Sequence, residues 1–120
     1  MQTVYFMRHA IPVSSTGWQG EDDDRPLSEA GRAQAATLMI PKVTKVFVSP
    51  AKRAQETATL AGIQGFETFS PLRERMDDWL LREMREAAES VDGDVLFIGH
   101  LGSFAQVLET EPGEVVVVRF

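Results

Sequence analysis

Apolar and polar positions follow two rhythms along this chain. Short continuous apolar runs stand at Val4–Arg8 (VYFMR), Lys45–Val48 (KVFV) and Val95–Ile98 (VLFI). Runs of that length, bounded by turn residues, predict strands, and Lys45–Val48 reads as a buried one. Longer polar-rich stretches between them predict helices. Ser28 is a good N-cap, and Glu29 in the first turn suits the helix dipole. That helix is expected to run to about Ile40 and stop at Pro41, with Gly31 as a weak point inside it. "SPAKRAQETATLAG" predicts a second helix, with Ser49 as N-cap, Pro50 at the first helical position and Gly62 as the stop. From Leu72 to Val91, the residues Leu72, Met76, Leu80, Met84, Ala87 and Val91 recur at intervals of three or four. This is the spacing of an amphipathic helix. Phe66–Phe69 reads as a short strand and Ser103–Leu108 as a short helix. After the turn at Glu111-Pro112-Gly113, Glu114–Arg119 reads as a last strand, apolar at four consecutive positions.

Strands that alternate with helices predict an α/β fold with a largely parallel sheet. The connection before the last strand is short, so that strand is expected to be antiparallel at an edge. No internal repeat or long linker divides the 120 residues, which read as one domain spanning 1–120.

Composition narrows the chemistry. With 43% apolar and 25% charged residues the chain has the balance of a soluble globular protein. It contains no cysteine, which excludes disulfides, thiolate nucleophiles and Cys-based zinc sites. Two histidines make a His-rich metal site improbable, so no metal or cofactor is expected. The net charge of −6 disfavours non-specific binding to nucleic acid or to an anionic membrane. No apolar run approaches the ~20 residues of a membrane span, and no signal peptide is visible. A cytoplasmic location is the expectation.

Against that acidic background, cations and imidazoles gather at three strand ends. Ligands of open α/β sheets bind beyond the carboxyl ends of the strands. The first strand ends in Arg8-His9, the second in Ser49-Pro50 before a helix whose first turn holds Lys52 and Arg53, and the Val95–Ile98 strand in Gly99-His100. Cations at a helix N-terminus oppose its dipole, and a bound anion reverses that penalty. Guanidinium forks match phosphate oxygens, and an imidazole can serve as nucleophile, acid or base near neutral pH. Arg8, His9, Arg53 and His100 therefore form a candidate phosphoryl site if the strands are parallel neighbours. Singly, each has a plainer reading: Arg53 paired with Glu56 or Glu29, Arg8 with the acidic run Glu21–Asp24, and the histidines as loop residues.

"MRHA", "RPLSEAGRAQA", "VSPAKRAQETA" and "FIGHLGS", in this order, resemble the histidine phosphatase superfamily, also called phosphoglycerate mutase-like. The match runs from Val4 to about Leu108. It implies a three-layer α/β/α sandwich, mostly parallel with an antiparallel edge strand, and without the large helical lid many members carry, because only the Leu72–Val91 helix precedes His100. It also implies a metal-independent phosphatase with no cofactor. His9 would take the phosphoryl group as a phosphohistidine that water hydrolyses. Arg8, Arg53 (with Ser49, Pro50 and Thr57) and His100 would hold the phosphoryl oxygens. The two arginines are expected to keep His9 neutral.

The short length and the Gly-His pattern look most like the small bacterial phosphohistidine phosphatases. They imply a phosphorylated substrate, a phosphohistidine-bearing protein foremost. A small-molecule phosphomonoesterase or mutase, and a phosphate-binding module with little turnover, are the rival readings. Glu74 in "PLRER" stands where related phosphatases have a general acid, and its alternative is a charge pair with Arg73, Arg75 or Arg82. Ser15, or Ser14, stands near the position of a phosphate-touching Asn in mutase-like members, where a hydroxyl can still donate one hydrogen bond. Ala10 replaces the usual Gly. Trp18 is a candidate substrate contact, whereas Trp79, Leu80 and Met84 read as core.

Overall fold

The computed structural model describes residues 1–73, 77–101, 103–107 and 109–120. Its elements in chain order are β1 (Val4–Arg8), α1 (Glu29–Ala36), β2 (Lys45–Val48), α2 (Lys52–Leu60), β3 (Glu67–Thr68), α3 (Asp77–Glu89), β4 (Val95–Gly99) and β5 (Val115–Val117). Single 3-10 turns stand at Asp22–Asp24, Ser70–Arg73 and Ala105–Val107. The strands form one five-stranded sheet in the order β3-β2-β4-β1-β5. Every pairing is parallel except β1 with β5, the antiparallel edge. Among the described residues, no helix is long and apolar enough to cross a membrane.

The alternation of side chains along each strand builds two cores. Val4, Phe6, Phe47, Val95 and Phe97 face α3, where they bury Leu80, Met84 and Ala88. Met7, Val46, Val48, Leu96 and Ile98 face the other way and cover Ala54 and Ala58 of α2. Helix α1 packs beside α2 on that second side. The sheet is thus the middle of three layers, and this is why its central strands are apolar at consecutive positions. Full burial of each Phe, Leu or Ile is worth about 1.5–3 kcal/mol relative to exposure. Aromatic contacts add shape: Phe47 and Phe97 stack at 5.1 Å, and Phe104 meets Phe6 edge-on at 5.2 Å.

Several element ends differ from the expectations. Helix α1 stops at Ala36 rather than Ile40. There Thr37 Oγ1 donates to the Gln34 carbonyl, and Leu38 and Ile40 turn to pack against the second core. Its start is as expected, since Ser28 Oγ accepts the Gly31 N–H at 3.0 Å. Gly31 is no flaw in this helix, because a Cβ there would overlap the backbone carbonyl of Ile11. Helix α2 begins at Lys52 with Ala51 as N-cap and no side-chain cap, so Ser49 is not the cap. Of the expected amphipathic helix, the described residues form the turn Ser70–Arg73 and the helix Asp77–Glu89, and Met76 lies outside the described residues. Of the expected Ser103–Leu108 helix, the described residues form a 3-10 turn at Ala105–Val107, with Leu108 outside them, and the outer strands shorten to Glu67–Thr68 and Val115–Val117.

Candidate active site

Strand register brings the two histidines together. Arg8 of β1 pairs with Gly99 of β4 in parallel register, so the next residue of each strand leaves the sheet side by side. The ladder extends one step further, with the His9 N–H donating to the Gly99 carbonyl at 3.0 Å. The imidazoles then meet edge to face, with ring centroids 5.1 Å apart. Both are buried, His9 at 6% and His100 at 7% exposure.

Helix α2 supplies the neighbouring wall. Thr57 is fully buried one turn along it from Arg53. Its hydroxyl donates to the Arg53 carbonyl at 2.7 Å and accepts the Ala10 N–H at 3.0 Å. That single side chain ties the loop after His9 to the helix carrying Arg53. Small Ala10, fully buried, lets the approach happen. Ser49 closes the third side: its Oγ lies 2.8 Å from His100 Nε2.

His9 is neutral near pH 7 and has a defined tautomer. Its Nδ1 lies 2.7 Å from the Ala10 carbonyl, which can only accept, so Nδ1 carries the proton and Nε2 presents its lone pair. Burial is the largest influence on its titration and lowers its pKa. The hydrogen bond to Ala10 works the other way, while the charges of Arg53, Arg8 and Arg25 add to the lowering, and the pKa falls from 6.5 to about 4. The expectation named the two arginines as the cause; desolvation leads and the arginines reinforce it.

The cations have partners other than those the sequence suggested. Arg8 Nη1 donates to the Thr110 carbonyl at 2.8 Å, not to the acidic run. Arg8 Nε is buried with no hydrogen-bond partner among the described residues. Arg53, 5% exposed, donates from Nη1 to the Asp22 carbonyl at 2.8 Å and from Nη2 to the Asp22 carboxylate at 3.0 Å. Glu56 instead pairs with Arg32 at 3.3 Å and accepts the Leu27 N–H. Desolvation would raise the Asp22 pKa, but the charge and hydrogen bond of Arg53, with help from Arg25, outweigh it and hold the carboxyl below its ordinary range.

Arg25, which the sequence reading passed over, belongs with this group. It is bonded to Asp22 Oδ1 and to the Val13 carbonyl, and its charge reaches His9. The signal available was its place directly before "PLSEAG", at the return of the long loop. Ser15 sits in an exposed turn, its carbonyl accepting the Trp18 N–H at 3.2 Å. Ser14 Oγ accepts the Thr16 N–H, and neither hydroxyl bonds to the His9 cluster among the described residues. Trp18 is half-buried and folds back on its own loop, donating to the Glu21 carbonyl at 3.0 Å. Glu74 lies outside the described residues. Its suggested partner Arg73 forms an ion pair with Asp23. Among the described residues, no group of three or more His, Cys, Asp or Glu is placed to hold a metal ion.

A mostly parallel α/β/α sheet whose strand ends gather two imidazoles and several guanidiniums defines a class. The chain belongs to the histidine phosphatase superfamily (branch 1), whose sequence profile matches residues 4–93 and so includes Arg8, His9 and Arg53 but stops short of His100. No curated protein sequence matches the chain significantly. Solved structures do. One is a Nakamurella multipartitia protein assigned as the phosphohistidine phosphatase SixA, to which this chain is similar at 25% identity and TM-score 0.67, over 86% of this chain and 61% of that one. The chain thus spans less than two thirds of that protein's length. Another is the protein histidine phosphatase SixA complexed with tungstate, at 20% identity and TM-score 0.69, over 98% of this chain and 87% of that one. A third, assigned as the phosphohistidine phosphatase SixA of Agrobacterium tumefaciens, matches at 22% identity and TM-score 0.72, over 89% of this chain and 74% of that one.

Proposed function

We propose that this protein is a phosphatase that moves a phosphoryl group from a protein phosphohistidine onto Nε2 of His9 and then hydrolyses it. The observation that carries the reading is the state of His9: its Nδ1 proton is held by the Ala10 carbonyl, its pKa is lowered to about 4, and the charges of three guanidiniums act on it. In the first step the P–Nε2 bond forms as the P–N bond of the substrate breaks, and the departing imidazole takes a proton from solvent. In the second, water attacks phosphorus, the P–Nε2 bond breaks, and inorganic phosphate leaves with His9 restored. Arg8, Arg53 and His100 act as donors to the phosphoryl oxygens, where fixed positive charge stabilises the transition state. Arg8 Nε, buried and unpartnered among the described residues, suits such a role. Ser15 and Glu74 are left as secondary candidates, the first as a donor to phosphate and the second as a proton donor to an alcohol leaving group. An imidazole leaves more readily than an alkoxide, so a phosphohistidine substrate makes least demand on Glu74. The likeness to SixA structures supports the same substrate class.

The test offers the protein a phosphorylated histidine-containing phosphotransfer domain and p-nitrophenyl phosphate, each with and without EDTA. Release from the protein substrate that survives EDTA and vanishes in His9→Ala is the expected result. Release from the small ester alone replaces this reading with a phosphomonoesterase. Binding without release defeats the enzymatic reading altogether.

A further inference from the structure

Ser49 combines a serine's ordinary look with an unusual set of attachments. It is fully buried. Its N–H donates to the Ile98 carbonyl at 3.0 Å, extending the β2–β4 ladder, and its carbonyl accepts Gln55 Nε2 at 2.8 Å. Its hydroxyl oxygen has two neighbours, the Ala51 N–H at 3.2 Å and His100 Nε2 at 2.8 Å. The side chain therefore sits in one rotamer, held from the backbone on both sides.

Counting hydrogens fixes what this contact is. A serine hydroxyl has one hydrogen to give and two lone pairs to receive with. The Ala51 amide is a donor, so it takes a lone pair. Among the described residues, His100 Nε2 is then the acceptor in reach of the hydroxyl hydrogen. Had Nε2 carried a proton, in the other neutral tautomer or in the imidazolium, the Ser49 hydrogen would be buried without an acceptor, which costs about 1–3 kcal/mol. We infer that Ser49 donates to His100 Nε2 and so locks that ring as the Nδ1–H tautomer, making Ser49 the positioning residue that turns His100 into a fixed hydrogen-bond donor.

The consequence for the reaction rests on the reading that His9 receives a phosphoryl group. A neutral ring with Nδ1–H can donate to a phosphoryl oxygen but cannot also take its proton from that side, so His100 stabilises charge and does not act as a base there. The same device serves His9, whose Nδ1 proton is held by a backbone carbonyl. One ring is thereby set with its lone pair at Nε2, and its neighbour 5.1 Å away with its Nε2 lone pair engaged by Ser49. The two identical side chains are given opposite roles by one partner each.

The chain has two histidines, so ¹⁵N NMR of the protein labelled at histidine resolves both rings. In the wild type, His100 is expected to show a pyrrole-like Nδ1 and a pyridine-like Nε2. Ser49→Ala should move it to the Nε2–H tautomer while His9 stays unchanged as an internal control, and Ser49→Thr, which keeps the hydroxyl, should retain the wild-type pattern. With a phosphohistidine protein substrate, Ser49→Ala should lower kcat about tenfold, the order of one net hydrogen bond, with KM within about twofold. Ser49→Thr should restore most of the rate. A wild-type His100 with Nε2 protonated overturns the inference without any variant. So does an unchanged tautomer in Ser49→Ala, or a changed tautomer with an unchanged kcat. If the wild type turns over no phosphorylated substrate, the phosphatase reading fails, while the tautomer assignment is still decided by the spectrum.

Discussion

Acid should unfold this protein through His9, and the size of the effect follows from its surroundings. The ring titrates at about 4 in the folded chain against an ordinary 6.5. Above the ordinary value it is neutral in both states and adds no pH dependence. Below that value the unfolded chain binds a proton that the folded chain refuses, so stability is lost as pH falls from about 6.5 and the loss is complete below about 4. At about 1.4 kcal/mol per pH unit, the difference amounts to roughly 3 kcal/mol. That is a large fraction of the 5–15 kcal/mol typical of whole domains. The perturbation is His9→Gln, which removes the titrating group, and the assay is urea unfolding at pH 7 and pH 4. Fluorescence of Trp79, which packs on the α3 core, reports the transition. Carboxylates such as Asp22 contribute equally to both proteins and cancel in the comparison. The wild type should lose about 3 kcal/mol more than His9→Gln across that interval. Equal losses, or an imidazolium at His9 seen by NMR at pH 7, would refute the reasoning. The same shift leaves about nine-tenths of His9 unprotonated at pH 5, against about 3% for an ordinary imidazole, so the phosphoryl transfer proposed for His9 should persist well into acid.

Two substitutions probe how the loop after His9 is held. Thr57→Val keeps shape but leaves the buried Ala10 N–H without its acceptor, and a loss of about 1–3 kcal/mol in urea unfolding is expected, with a slower enzyme because Ala10 also holds the His9 ring. A change under 0.5 kcal/mol, roughly the noise of a neutral surface substitution, would show that this bond is not the tie. Gly31→Ala places a methyl against the Ile11 carbonyl and should cost about 1–3 kcal/mol by overpacking, although alanine is the better helix former. A stabilised protein in thermal melts would mean that α1 can shift freely.

Where the chain was readable, one local cause decided the outcome. The central strands sit between two helical layers, so their apolar runs are continuous and stand out without alignment. The nearness of His9 and His100 could be expected from strand ends, because a parallel sheet points all its carboxyl ends one way. Helix limits were less readable because tertiary partners decide them. Ser49 has the residue type and position of an N-cap, yet its hydroxyl is engaged by His100 and by Ala51, and α2 starts later. Leu38 and Ile40 fit a longer helix α1, but the sheet offers them a better burial. The pairing of Arg53 with Asp22, 31 residues apart and with Asp22 in an aperiodic loop, leaves no pattern to read. The same holds for the reach of Arg25 to His9.

The order of the strands carries a further consequence. Cutting the chain in the turn between Gly62 and Gly65 would leave β1 and β2 in one piece and β3, β4 and β5 in the other. Every neighbouring pair in the order β3-β2-β4-β1-β5 joins a strand of the first piece to a strand of the second. Neither piece keeps a single strand pair of its own. The first would hold Arg8, His9 and Arg53, and the second His100. The sheet is woven rather than stacked, so no half of it can persist as a partly folded remnant with the site half built. During synthesis the early strands wait for late ones, a topology that folds slowly for its size. Once interleaved, the sheet and the pair of histidines exist or vanish as one unit.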